Sequence, residues 1–256
     1  MNTLTTLLVP ILSDNYAYLI RDDATGLVGI VDPGEVQGVD HAIAQLGGKL
    51  DWILITHHHD DHIAGVDALR EKYAAKVVGA AADAQRLPLL DESVRPESGW
   101  RFGEQAVAII DTPGHTVGHI AYYFSAAQSV FVGDTLFTLG CGRMFEGTAL
   151  QMWGALCALA ALPPETRVYA GHEYTLANAR FAATIEKENT ALAARIAEVE
   201  QLRSRGEPTL PTTIGIEKAT NPFLRAKEES VKAAVGLAGA DDAAVFAEIR
   251  RRKDVA

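Results

Sequence analysis

The chain has 256 residues, of which 48% are hydrophobic, and a formal net charge of -10 at pH 7. This length and composition allow one large domain, or one domain with a small appendage, and supply enough apolar residues for an ample core. The negative charge argues against general nucleic-acid binding. Two cysteines are too few for a disulfide scaffold, and no apolar run approaches the length of a membrane span. Since residues 1–10 also lack the features of a secretory signal, we expect a cytoplasmic protein that does not bind membranes.

Apolar or alternating runs bounded by turn residues predict strands and helices through the first two thirds of the chain. In chain order these are strands at 3–9, 16–21 and 26–31, a helix at 36–46, a strand at 52–56, a helix at 63–73, strands at 76–78, 106–111, 119–124 and 129–132, a helix at 149–162 and a strand at 167–170. Residues 80–99 predict only loop and helix fragments. Strands followed by helices, twice over, indicate two sheets packed face to face with helices outside, an αββα sandwich.

The character of the chain changes after this point. Residues 174–205 predict one long helix that ends at a Gly-Glu-Pro sequence, and residues 209–220 predict extended chain or loop. Two further helices are predicted at 228–238 and 241–252. Because no sheet can be built from these elements, we predict a catalytic domain at 1–175, followed by a small, mainly helical domain at 176–256.

Four of the eight histidines and two aspartates fall within residues 57–62, on the predicted turn between a strand and a helix. Loops held by rigid elements usually carry chemistry. In extended backbone His57 and His59 point to the same side and can bind one cation, whereas His58 faces away and is expected to be structural. The alternative is a polar turn that is rich in histidine by chance.

Five more candidate ligands lie at the end of this stretch and further along the chain. Asp61 and His62 leave the turn together and can reach a second cation beside the first. Three later strands each end in a candidate ligand, namely His115, Asp134 and His172. Each of these three alone is weak, because an isolated histidine is usually structural and an aspartate after a strand is usually a cap. Together the five histidines and two aspartates suffice for two adjacent metals, and their nitrogen and oxygen donors suit zinc, iron or manganese.

The run at 57–62 has the form H-x-H-x-D-H, and in this run and in the order and spacing of the later ligands the chain resembles the metallo-β-lactamase superfamily. Within it the chain is most similar to glyoxalase II, the hydroxyacylglutathione hydrolases, from Asp14 to the tail at 250–254. The resemblance implies a metallo-β-lactamase fold with a helical C-terminal domain. It also implies hydrolysis of the thioester of S-lactoylglutathione to lactate and glutathione, the second step of methylglyoxal detoxification.

The resemblance also assigns the ligands to two divalent metal ions per chain, with zinc expected and iron or manganese possible. The first metal takes His57, His59 and His115, the second takes Asp61, His62 and His172, and Asp134 bridges the two. Two such cations can lower the pKa of a shared water towards about 7 and so supply hydroxide as the nucleophile. The catalytic role of Asp61 and Asp134 is then to hold and orient this water.

Candidate substrate-binding residues lie near the start of the predicted helical domain and within it. Arg250 and Lys253 are three residues apart and can bind a carboxylate together, although cations at a helix C-terminus also complement its dipole. The resemblance implies that this R-x-x-K pair holds the glycine carboxylate of glutathione. It implies two further contacts from Arg143 and Tyr174. Phe145 departs from the tyrosine of some members, so one hydrogen bond to the tripeptide is expected to be missing.

Three other polar residues are also candidates for parts of the site. Asp32 is expected to be a turn residue or, alternatively, to contact a metal-binding histidine. His119 and Cys141 are both expected to be structural, because neither fits the spacing of the ligands.

Three rival functions remain open from the sequence. The first is another hydrolase of the superfamily, such as a lactonase, and the second is a mononuclear-iron persulfide dioxygenase. The third is a metal-binding scaffold without catalysis. The cations of the tail favour hydrolysis of a glutathione thioester over these three. We expect a monomer whose partner is a small-molecule glutathione thioester.

Overall fold

The structure is a computed structural model that describes residues 4–256. Strands and helices follow one another along the chain without long irregular segments. They are β1 (Leu4–Ile11), β2 (Asn15–Asp22), β3 (Val28–Val31), α1 (Gln37–Gln45), β4 (Trp52–Leu54), α2 (Asp60–Ile63), α3 (Val66–Tyr73), β5 (Lys76–Ala80), a 3-10 turn (Ala81–Asp83), β6 (Glu92–Val94), β7 (Trp100–Phe102), β8 (Gln105–Asp111), β9 (Ile120–Phe124), β10 (Ser129–Gly133), β11 (Leu136–Phe137), β12 (Gly140–Cys141), α4 (Ala149–Ala160), β13 (Arg167–Ala170), α5 (Thr175–Ile185), α6 (Thr190–Ser204), β14 (Thr212–Thr213), α7 (Ile214–Thr220), α8 (Glu229–Ala234) and α9 (Asp242–Asp254).

These elements form two compact units. The first runs to Asp111 and takes in Thr116–Gly133, and the second consists of Thr112–His115 and Asp134–Ala256. No helix within residues 4–256 is both long enough and apolar enough to cross a membrane.

The first unit contains a sheet in which β1 to β6 pair in chain order. Strands β1, β2 and β3 pair antiparallel, and β3 to β6 are parallel. Strands β7 to β10 of the same unit are antiparallel neighbours. The parallel strands place the ends of β3 and β4 side by side, with Val31 opposite Leu54 in the register. The segments that follow these two strands therefore start from one edge of the sheet.

Side-chain alternation on the strands explains how the first unit is layered. One face of the first sheet is buried with α1 and α3 in a single apolar cluster that includes Ile30, Ile43, Ile53 and Leu69. On the other face, the ring of Tyr18 contacts Phe131 of β10, with 5.6 Å between centroids. Tyr122 of β9 donates its hydroxyl to the carbonyl oxygens of Ile55 (2.9 Å) and Val78 (3.2 Å). Helices thus cover one face of this sheet and the antiparallel strands cover the other.

The second unit is mainly helical around a smaller amount of sheet. It contains the hairpin β11–β12, the antiparallel pair β13–β14 and helices α4 to α9. Phe223 is almost fully buried, and its ring lies 6.0 Å from Phe181 of α5 and 6.1 Å from Phe246 of α9. This aromatic cluster packs the terminal helix against the rest of the unit.

The prediction of one helix at 174–205 is wrong, because α5 ends at Ile185 and α6 begins at Thr190. Two side chains at the break stabilise it. Glu186 forms a buried ion pair with Arg225 at 2.8 Å, and the side chain of Asn189 accepts a hydrogen bond from the backbone N–H of Leu192. An asparagine N-cap starts a new helix without any glycine or proline to mark it in the sequence.

The prediction of extended chain or loop at 209–220 is also wrong over its second half. Residues Ile214–Thr220 form α7, whose N-terminus is capped by the Thr213 side chain, which accepts from the N–H of Ile216 at 3.2 Å. The β-branched residues of this segment have weak helix propensity, but the cap and tertiary packing override it. The short strands β6, β7, β11, β12 and β14 were not predicted.

The predicted helix at 63–73 is divided. A first turn, α2, already begins at Asp60, and α3 begins at Val66. Gly65 separates them because its N–H donates to the carbonyl oxygen of Pro33 at 2.9 Å. A Cβ at this position would lie only 2.6 Å from the carbonyl oxygens of Pro33 and Glu35, so the close approach requires glycine.

Candidate active site

In the first unit, the turn after β4 carries two imidazoles that face each other. Nε2 of His57 lies 3.2 Å from Nδ1 of His59, and the two rings meet edge to face. His57 is fully buried, and Nδ1 of its ring lies 3.0 Å from the hydroxyl of Thr56. The expectation that His57 and His59 present nitrogens to one point agrees with this geometry.

Asp61 and His62 lie on α2 rather than on the turn, and the helix brings their side chains together. Oδ2 of Asp61 is 3.7 Å from Nε2 of His62. The side-chain amide of Asn15 donates to the same Asp61 oxygen at 2.9 Å and so fixes its direction. Acidic residues in the first turn of a helix are favoured by its dipole, which is one reason why α2 starts at Asp60.

Asp32 connects the end of β3 to these groups. Its carboxylate accepts hydrogen bonds from the N–H of Thr56 (2.8 Å) and from the hydroxyl of Thr56 (2.7 Å), and lies 3.1 Å from Nδ1 of His62. An imidazole whose Nδ1 donates to a carboxylate keeps the lone pair on Nε2, the nitrogen that a metal would need. Asp32 adopts a left-handed backbone conformation (φ 51°), as aspartate tolerates in turns. Asp32 therefore lies in a turn and contacts the ring of His62.

The other two histidines of this region have neighbours of their own. Nδ1 of His58 lies 2.9 Å from a carboxylate oxygen of Asp83, a partner that no local sequence pattern had indicated. His119 is buried and its ring stacks on that of His57, with 4.8 Å between centroids. Both contacts agree with the structural roles expected of these residues.

In the second unit, two buried imidazoles face one oxygen of a buried carboxylate. Oδ2 of Asp134 lies 3.4 Å from Nε2 of His115 and 3.2 Å from Nε2 of His172. The three side chains follow β8, β10 and β13, and each residue is at most 5% exposed. A single carboxylate oxygen shared by two imidazoles brings together donors that are distant in the sequence.

The orientation of His115 and His172 is fixed by neighbours in the same unit. Nδ1 of His115 lies 2.7 Å from the carbonyl oxygen of Arg143, so that Nδ1–H donates and Nε2 faces Asp134. The Tyr174 ring lies parallel to that of His172 at 4.5 Å, and Tyr174 is 38% exposed. A predicted substrate residue thus lies directly beside each of these two histidines.

The structure places the predicted substrate cations in very different environments. The side chain of Arg143 is 63% exposed, and its guanidinium lies over the ring of Phe145. Arg250 is buried, donating from Nη1 to the carbonyl oxygen of Cys141 at 2.9 Å and pairing through Nη2 with Asp254 at 3.0 Å. Lys253 donates to the Ala177 carbonyl oxygen at 3.1 Å. Burial and the charge of Arg250 lower the pKa of Lys253.

Cys141 is buried beside Arg250, and burial raises the pKa of its thiol to about 11. The thiol is therefore protonated at neutral pH and is a poor nucleophile or ligand. This agrees with the structural role expected from the sequence.

The donors of both units fit divalent metals by their chemistry. Imidazole nitrogens and carboxylate oxygens approach to 3.2–3.7 Å within each unit, and the remaining nitrogens of His62 and His115 are held by a carboxylate and a carbonyl. This combination of donors and outer hydrogen-bond partners is typical of a His/Asp metal cluster.

Two family models together match almost the whole chain. The model described as "Metallo-beta-lactamase superfamily" matches residues 12–172, and the one described as "Hydroxyacylglutathione hydrolase C-terminus" matches residues 173–256. The predicted fold, a metallo-β-lactamase domain followed by a helical region, is confirmed.

Curated relatives match at high identity. A hydroxyacylglutathione hydrolase of Cereibacter sphaeroides is 53% identical over 246 residues, which is 96% of either chain. One of Ruegeria pomeroyi is 50% identical over the same share of both chains. Among solved structures, ETHE1 from Myxococcus xanthus is 29% identical, covers 98% of both chains and has a TM-score of 0.65. The BLEG-1 B3 metallo-beta-lactamase, at 23% identity and a TM-score of 0.64, covers 86% of this chain and 99% of its own, and shows the fold alone.

Proposed function

Because this chain belongs to the hydroxyacylglutathione hydrolases of the metallo-β-lactamase superfamily, we propose that it hydrolyses the thioester of S-lactoylglutathione to lactate and glutathione. This reaction is the second step of the glyoxalase pathway, which degrades methylglyoxal. The observation that carries the proposal is the 2.7 Å contact between Nδ1 of His115 and the carbonyl oxygen of Arg143. It joins a candidate metal ligand to the backbone of a residue whose side chain is a candidate glutathione contact.

We propose that the chain binds two divalent metal ions, zinc first, with iron or manganese as alternatives. The proposed ligands are His57, His59, Asp61, His62, His115, Asp134 and His172. Asp134 is the proposed bridge, which its single oxygen facing two imidazoles supports. When bound, such a pair of metals lowers the pKa of a water towards about 7 and polarises a carbonyl group.

The protein groups have distinct tasks in this scheme. Asp61 and Asp134 orient the attacking water, and Asn15 holds Asp61 in place through its 2.9 Å hydrogen bond. Asp32 keeps the Nε2 lone pair of His62 available. The leaving thiolate has a conjugate acid with a pKa of about 8.5, so hydrolysis needs no strong general acid from the chain.

We propose that Arg143, Tyr174, Arg250 and Lys253 bind the glutathione part of the substrate. Their cations suit its carboxylates, and the exposed ring of Tyr174 offers a hydroxyl. In this scheme residues 1–175 form the catalytic domain and residues 176–256 complete the substrate site. The low cysteine count and the acidic composition support a monomer in the cytoplasm.

The test is thiol release from S-lactoylglutathione by the purified protein, beside an Arg250→Ala, Lys253→Ala double variant. We expect fast hydrolysis by the wild type and a much higher KM with little change in kcat for the variant, because a group that only binds the substrate raises KM. A metal-loaded wild type without thioesterase activity would overturn the proposal. Lactone hydrolysis and oxygen uptake would then be the next assays.

A further inference from the structure

Asp254, the last residue of α9, lies among the cations that the proposed function assigns to glutathione. We propose that Asp254 is an internal carboxylate that occupies this site in the free protein and is displaced by the carboxylate of the substrate. The inference rests on the proposed function, and adds a residue that sets how tightly glutathione thioesters bind.

One oxygen of Asp254 faces two arginines at once. Oδ1 is 3.0 Å from Nη2 of Arg250 and 4.0 Å from Nε of Arg143. Arg250 and Asp254 are four residues apart on one helix, whereas Arg143 follows the hairpin β11–β12. Cations from two distant segments that meet at one carboxylate define an anion site, and in this structure Asp254 is its occupant.

Arg250 needs such a counter-charge. Its side chain is only 7% exposed, its guanidinium lies 5.2 Å from the centre of the Phe223 ring, and Nη1 is used by the carbonyl oxygen of Cys141. Its buried Nε has no acceptor within residues 4–256. A buried guanidinium without an anion costs free energy, because its charge and its unused donors are not compensated. Such a group can bind a second or better-placed carboxylate.

Asp254 holds this place weakly. A carboxylate at the C-terminal end of a helix is disfavoured by the helix dipole. The side chain of Asp254 is also 29% exposed, so water can solvate its carboxylate when it leaves the arginines. Two arginines, Arg143 and Arg250, face this one aspartate, so the positive charge of the pair exceeds the charge that Asp254 neutralises.

An internal competitor reduces the apparent affinity by the fraction of time for which the site is free. Removing the carboxylate should therefore lower KM for S-lactoylglutathione by about three- to tenfold, with kcat unchanged within about twofold. If Asp254 instead oriented Arg250 for binding, the same substitution would raise KM. The two roles thus predict opposite changes in KM.

The experiment compares wild type with Asp254→Asn and with Glu248→Gln. Glu248 is a matched control, because it is an acid on the same helix with a 21% exposed side chain, paired with Arg251 and Arg252. Its loss changes the net charge equally but leaves the Asp254 site intact. Asp254→Ala serves as a second variant, and thermal unfolding of each variant identifies any that fails to fold.

Each variant is assayed with S-lactoylglutathione and with its glycine-amide analogue, and glutathione itself is used as a binding probe in calorimetry. A lower KM and tighter glutathione binding in Asp254→Asn alone, with the gain absent for the amide, would support the proposal. An unchanged or higher KM in folded Asp254 variants would overturn it while leaving the proposed function intact. A wild type that neither hydrolyses the thioester nor binds glutathione would overturn both.

Discussion

The first unit supplies four candidate ligands from six consecutive residues, 57–62, whereas the second supplies three from the ends of β8, β10 and β13. In the first unit, a turn and one helical turn arrange the ligands, and Asp32 and Asn15 hold them from neighbouring strands. In the second, the hairpin β11–β12 and α4 lie between Asp134 and His172 in the sequence, and the carbonyl oxygen of Arg143 fixes the ring of His115. The local set therefore depends on a few hydrogen bonds, and the distributed set depends on the fold of a whole unit.

The largest effect should come from the local set itself. His59→Ala removes a proposed ligand, and we expect it to lower metal binding and thiol release by more than about a hundredfold, beyond the loss typical of outer-sphere partners. His58→Ala is the matched control, since His58 contacts Asp83 instead. Metal analysis and thiol release would check both variants. Equal losses in the two would show that the run acts as a histidine-rich patch rather than as two specific ligands.

A smaller loss of metal affinity and activity is expected for a residue that contacts a candidate ligand. Asp32→Asn removes the carboxylate that receives Nδ1 of His62 and the hydroxyl of Thr56, so metal affinity or activity should fall by about 10–100-fold. Competition with a chelator measures the affinity. If the variant bound metal as tightly as wild type, Asp32 would be a turn residue only.

The second unit should lose stability when a buried acid within it is replaced. Glu217 is fully buried and accepts hydrogen bonds from the N–H of Leu139 (2.8 Å), the hydroxyl of Thr212 (2.8 Å) and the amide of Asn221 (3.0 Å). Leu139 lies in the hairpin between Asp134 and Arg143. We expect Glu217→Gln to lower the free energy of unfolding by about 1–3 kcal/mol, because an amide cannot accept from all three donors.

The same residue gives a pH dependence with a defined sign. Burial raises the pKa of Glu217 above its ordinary value. The folded protein therefore binds this proton more tightly than the unfolded chain. Its contribution to stability is full below the unfolded pKa of about 4.3 and declines as pH rises through the folded value.

Chemical denaturation from pH 4 upwards should show the stability advantage of wild type over Glu217→Gln shrinking with pH. Glu207→Gln, at an exposed acid that pairs with Arg205, is the control and should change little. A difference that grew with pH would contradict the assigned direction.

The smallest effect concerns the substrate side of the second unit. The ring of Phe145 meets that of His115 edge to face at 5.2 Å, and Phe145 is 61% exposed. Phe145→Tyr would offer one more hydrogen bond to glutathione, worth about 0.5–1.5 kcal/mol, or roughly 2- to 12-fold in KM. Steady-state kinetics would measure it. No change in KM would mean that this position does not reach the tripeptide.

The sequence predicted the fold of the first unit and most of its strands because apolar alternation and turn residues are local signals. It did not predict the break at Glu186–Asn189 or helix α7, since an ion pair to Arg225 and a threonine cap decide these. Among the functional residues, the run at 57–62 is visible by spacing alone. Asn15, Asp83 and Asp254 were missed because each has a partner that is distant in the sequence.

The central claim, that this chain is a dinuclear thioester hydrolase, is tested most directly by Asp134→Ala. Metal content and thiol release from S-lactoylglutathione should be measured on the same preparations of wild type and variant. We predict about two divalent metals per wild-type chain, as a two-metal hydrolase requires, and loss of both bound metal and activity in the variant. Full activity without Asp134 would contradict the account.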